Sequence, residues 1–118
     1  MKPDAMFQRI CSVAPGFKAV MAEHLQDNDE LLSHLLTADL LRYVGARVGN
    51  LQATEEVRHI LGVLEEAFLS KDPDTENAIA VSFIEHIDTE PFFQQLEPLL
   101  GPALRAEYQR QTGATNAR

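Results

Sequence analysis

The chain has 118 residues, 45% of them hydrophobic and 24% charged, which suits one globular domain and argues against wholesale disorder. Its formal net charge of −8 disfavours direct nucleic-acid binding, and a single cysteine, Cys11, precludes an internal disulfide and fits a reducing, cytoplasmic setting. No apolar run approaches the roughly 20 residues of a membrane-spanning helix, and Met1-Lys2-Pro3-Asp4 is expected to carry no secretory signal.

Hydrophobic periodicity predicts helix throughout, with no alternating, β-branched run bounded by turn residues. The first helix covers Pro3 to Val13, with Met6, Phe7, Ile10 and Ala14 on one stripe and Cys11 at its edge. Pro15-Gly16 ends it. The second runs from Phe17 to about Gln26 and places Val20, Met21, His24 and Leu25 on the side of Phe17. Asp27-Asn28-Asp29 then forms a turn. Over 30–48 the pattern shifts: Leu31, Leu32, Leu35 and Leu36 define one stripe, and Leu40, Leu41, Val44 and Val48 another, rotated by more than a right angle. A break near Thr37-Ala38-Asp39 is therefore expected, with Thr37 as its cap and Asp39 paired with Arg42. Gly49-Asn50 closes the segment.

Thr54 opens the next helix, with Glu55 and Glu56 in its first turn complementing the dipole. Val57, Ile60, Leu61, Leu64, Ala67 and Phe68 form a wide apolar face as far as Ser70. Asp72-Pro73 starts another helix, which carries Ile79, Ala80, Phe83, Ile84 and Ile87 inward and closes at Asp88-Thr89. A short helical turn with Phe92 and Phe93 follows over 90–96, and a last helix runs from Gly101-Pro102 to Gly113. The fold class is all-α: a compact single-domain bundle of six to seven helices over residues 1–112, with a frayed polar tail over 113–118. The expected core contains Phe7, Ile10, Leu35, Leu41, Leu64, Phe68, Phe83, Ile84 and Ile87.

Catalytic chemistry finds no foothold. Glu56-Val57-Arg58-His59 matches the Glu-x-x-His pattern of carboxylate-bridged di-iron bundles, but those sites need a second such pair, and none exists. Glu56 falls on the margin of its helix's apolar face and His59 outside it, so a solvated face is the better reading. His24, His34, His59 and His86 lack the close spacing of zinc ligands. His24, inside an apolar stripe, reads as a buried histidine bonded to backbone rather than a ligand or base. Cys11 reads as a small core residue. No phosphate loop, dinucleotide fingerprint, nucleophile elbow or zinc-finger spacing is present, so no enzyme activity, cofactor or metal is expected.

The charge map is uneven. Residues 1–53 carry six acids against five bases, residues 54–98 eleven against two, and residues 99–118 one against three. Glu55, Glu56, Glu65, Glu66, Asp72, Asp74, Glu76, Glu85 and Glu90 are the candidate partner-binding residues, since a concentrated negative surface steers a basic partner. Within that set Glu65, Glu66 and Glu85 are placed outward by periodicity.

The leucine-rich stretches from Leu31 to Tyr43 and from Leu99 to Tyr108 resemble small all-helical bacterial proteins of the toxin-immunity type, and the helices across 54–88 are similar to a HEAT-type hairpin. The resemblance implies a cytoplasmic protein that neutralises a cognate toxin or effector domain with a basic surface by occluding it. It brings no catalytic residues and implies neither nucleic acid nor membrane as a partner. The alternative is a helical adaptor or scaffold without a toxin partner.

Overall fold

The computed structural model describes residues 1–113, which form seven α-helices and short 3-10 turns, with no strand among the described residues. Proline sets several helix starts. α1 (Pro3–Val13) and α7 (Pro102–Thr112) carry one in the first turn, as does α5 (Pro73–Ile79), where the missing N–H costs no helical bond. α2 spans Phe17–Asn28, α3 Ser33–Gly45, α4 Thr54–Leu69 and α6 only Phe93–Leu96. Gly113 ends α7 with a left-handed φ of 70°, the conformation expected of a glycine stop. The tail expected beyond it, 114–118, lies outside the described residues.

α4 is the spine of the bundle. Its apolar face buries Val57, Ile60, Leu61, Val63, Leu64, Ala67 and Phe68, and it packs against α1, α5 and α7. Met6, Phe7 and Ile10 of α1 meet this face, and Phe7 stacks on Phe17, which in turn meets Tyr43 edge-on at 5.3 Å between ring centres. Of the expected core, Phe7, Ile10, Leu41, Leu64, Phe68, Phe83, Ile84 and Ile87 are all buried.

Leu35 is the exception, at 53% exposure. Asp29 adopts a left-handed φ of 62° and Leu32 stays extended, so α3 starts only at Ser33 and Leu31 and Leu32 stand outside it. What remains is one helical face, Leu36, Thr37, Leu40, Leu41, Tyr43 and Val44, and the helix runs on without the expected break. Thr37 is consequently not a cap. It is fully buried in mid-helix, and its Oγ1 has no hydrogen-bond partner. Asp39 does pair with Arg42 one turn on, within a continuous helix rather than at a new start. α2 likewise continues through Asp27 to Asn28, and Leu25 is exposed rather than part of its inner stripe.

Two further departures have packing causes. Gly45 ends α3 against the ring of Phe92, which occupies the space where a Cβ would stand. α5 widens into a π turn over Ala80–Ile84, with the Glu85 N–H bonding to the Ala80 carbonyl at 3.0 Å. The same carbonyl accepts from Gln111 Nε2 of α7, also at 3.0 Å, so the wider turn is tied to its neighbour.

Candidate functional site

The nine acidic candidates do not form one surface. Glu56 is an internal strut: its carboxylate accepts from the Tyr43 hydroxyl and pairs with Arg47, each at 3.0 Å, joining α3 to α4. Burial, aided by that carboxylate, pushes the Tyr43 hydroxyl above its ordinary value. Glu65 reaches from α4 to the start of α7 and accepts the backbone N–H groups of Ala103 at 2.6 Å and Leu104 at 3.1 Å. It is therefore half-buried and caps a helix forty residues on, contrary to the outward position expected of it. Gly101 makes this approach possible, since a Cβ there would lie 2.5 Å from the Glu65 carboxylate.

Asp72 is the N-cap of α5, accepting from the Thr75 N–H at 3.1 Å while pairing with Lys2 at 3.1 Å. The Thr75 bond first, then Lys2, holds its carboxyl below the ordinary range. Glu66 pairs with Arg9 of α1 at 2.6 Å; Glu55 and Glu76 have looser cations, Arg58 and Lys71, each at 3.9 Å. Glu85 is exposed, as expected, and its one ion-pair neighbour among the described residues is His86 at 3.6 Å. Asp74 and the half-buried Glu90 make no side-chain hydrogen bond or ion pair with another described residue.

The remaining acids of α5 lie along one outward stripe. Asp74, Asn77, Val81 and Glu85 are all exposed at helical spacing. The stripe borders an open cleft of about 570 Å³ in which the starts of α1, α3 and α5 converge, represented by Asp4, His34 and Asp74. Three helix N-termini bring partial positive charge to this cleft, so Asp4 and Asp74 serve partly as dipole complements. His34 is fixed there by Ser82 at 3.0 Å from its Nδ1 and Asn77 at 3.4 Å from its Nε2.

The other titratable candidates resolve into structure. His24 is buried, and its Nε2 accepts the Leu32 N–H at 2.9 Å, pinning the α2–α3 connection as a backbone-bonded core histidine. His59 is exposed and Glu56 is committed to α3, so the Glu-x-x-His spacing gathers no ligands. Cys11 is buried beside the Met21 sulfur at 3.8 Å, and burial raises its thiol. No group of three or more His, Cys, Asp or Glu among the described residues is placed to hold a metal ion.

Sequence reading passed over a second set of acids. Glu23, Asp27, Asp29 and Glu30 are exposed and lack any ion pair with a described residue. They crowd the C-terminal end of α2, where the helix dipole is already negative. The clue lay in the sequence: no lysine or arginine occurs between Lys18 and Arg42.

Fold and surface together define a small all-helical bundle with a negative, unevenly neutralised exterior and, among the described residues, no helix long and apolar enough to cross a membrane. The chain belongs to the family described as a domain of unknown function, DUF7674, which it matches over residues 7–114. No curated protein and no solved structure matches it.

Proposed function

We propose that this chain is a non-enzymatic, cytoplasmic binding protein of the bacterial immunity type, which neutralises a basic toxin or effector domain by covering it. The observation that carries the reading is the outward stripe of α5, where Asp74 and Glu85 flank the exposed Val81 and neither forms an ion pair with a lysine or arginine among the described residues. Exposed charges of this kind contribute only about 0–1 kcal/mol to folding. They act instead on a partner, raising its association rate in a salt-dependent way. Glu55, Glu66 and Glu76 extend the negative surface, while Glu56, Glu65 and Asp72 hold the frame that presents it.

The test is co-expression with the product of the neighbouring gene, scoring survival of the host and complex formation at low and high salt. The wild-type chain should restore growth, and the Asp74→Lys, Glu85→Lys double variant should fold normally but protect poorly. A neighbouring product that is neither toxic nor bound overturns the immunity reading. Full protection by the double variant removes the α5 stripe from the interface.

A further inference from the structure

α2 buries only Phe17 and His24 of its twelve residues, and its second half faces α3 across an open cleft of about 360 Å³. Glu23, His24 and Asp27 line one wall, and Leu35, Ala38, Asp39 and Arg42 the other. The spacings on each wall are those of a single helical stripe, so two helix faces confront each other without closing. Leu35 stands 53% exposed at this cleft, while Leu36, Leu40 and Leu41 of the same helix are buried.

The charges are equally unresolved. Asp39 is neutralised by Arg42, but Glu23 and Asp27 have no cation among the described residues and sit toward the negative end of α2. Asp29 and Glu30 add to the same potential just beyond the helix. These carboxylates make no hydrogen bond or ion pair with another described residue. Arg42, the cation that lines the cleft, is held by Asp39, so Glu23 and Asp27 are left to a cation supplied from outside, and the adjoining Leu35 and Ala38 provide apolar surface beside it. His24 sets the register of the walls, since the Leu32 N–H bond to its Nε2 fixes where α3 begins relative to α2.

We propose that the α2–α3 cleft docks a basic amphipathic segment of a protein partner, with an aliphatic side chain on Leu35 and Ala38 and a lysine or arginine between Glu23 and Asp27. Charge complementarity selects this occupant: an acidic segment meets an unrelieved negative rim, and a purely apolar one leaves the carboxylates unpaired while desolvating them. The site is distinct from the α5 stripe and does not depend on whether the partner is a toxin.

The probe is a fluorescein-labelled synthetic peptide of leucine and lysine, amphipathic as a helix, with a composition-matched scrambled peptide as control. Anisotropy titrations of the full chain should show saturable, salt-sensitive binding of the amphipathic peptide. Binding should weaken about tenfold or more, a loss well above titration error, in Leu35→Gln and in the Glu23→Gln, Asp27→Asn variant. Both changes are at exposed positions and should not lower the thermal midpoint. The Asp74→Asn, Glu85→Gln variant should bind the peptide as the wild type does, which separates this cleft from the α5 stripe. Equal binding of the scrambled peptide, indifference to both cleft variants, or an equal loss in the α5 variant overturns the proposal. A concentration-dependent rise in mass that Leu35→Gln removes would assign the cleft to a second copy of this chain and overturn it as well.

Discussion

α4 and α2 both carry carboxylates, and they use them in opposite ways. On α4, Glu56 braces α3, Glu65 caps α7 and Glu66 holds Arg9 of α1, so three acids tie the spine to three neighbours. On α2, Glu23 and Asp27 pair with no cation among the described residues, and the helix buries two residues where α4 buries seven. A count of acids along the chain therefore says little about the field at its surface. What matters is whether a helix start or an arginine from another element arrives beside each carboxylate.

The sharpest way to break this contrast is in the packing. Leu64→Ala at the centre of α4 should cost about 2–5 kcal/mol in denaturant unfolding, the range for a buried leucine whose cavity only partly collapses. Leu35→Ala beside α2 should stay within about 0.5 kcal/mol, because its side chain already faces water. Similar losses at the two positions would mean that the α2–α3 cleft is closed in solution.

Next in size are the acids. Glu65→Ala removes two charge-assisted bonds to the first turn of α7 and should cost about 1–2 kcal/mol, with faster amide exchange at Ala103 and Leu104. Asp27→Ala should instead raise stability by about 0.3 kcal/mol, since it relieves a carboxylate at the negative end of a helix. A destabilised Asp27→Ala would show that α2 uses its acids after all.

Thr37→Val sharpens the comparison from inside α3. It replaces a buried hydroxyl that has no partner by a methyl of nearly the same shape, and should stabilise by about 1 kcal/mol. Loss of stability on thermal unfolding would assign that hydroxyl a partner.

The smallest effect is on acid unfolding. Asp72 and Glu107 both have carboxyls held below their ordinary values of 3.8 and 4.5, Asp72 chiefly by the Thr75 N–H and Glu107 chiefly by Arg110. The unfolded chain then binds more protons than the folded one below those values. Their contribution is complete above the ordinary range and is lost as pH falls through the depressed values. Asp72→Asn should flatten the decline in melting temperature below about pH 4, near the unfolded carboxylate values.

Local chemistry made much of the frame readable. Pro3, Pro73 and Pro102 mark helix starts, Gly113 marks a stop, and six of the seven buried apolar positions of α4, all but Val63, repeat as the sequence pattern placed them. The errors fell where one turn of backbone changed everything after it. With Asp29 left-handed and α3 delayed to Ser33, Leu31 and Leu32 dropped out of the helix, and the apparent clash of stripes disappeared. Of the candidate site, the outward placement of Glu66 and Glu85 was legible from periodicity, whereas the capping role of Glu65 was not. Its partners lie nearly forty residues away, beyond the reach of any spacing rule.

The sequence by itself determined an all-helical chain, most of its helix ends and most of its core, because helix propensity, capping and periodicity act within a few residues. Only the tertiary structure decided the fate of each charge. Glu56 became a strut, Glu65 a cap and Asp72 a clasp for the N-terminus, while Glu23 and Asp27 were left facing an open cleft. The physical reason is that a carboxylate's energy depends on what lies within a few ångströms of it, and those neighbours come from elsewhere in the chain.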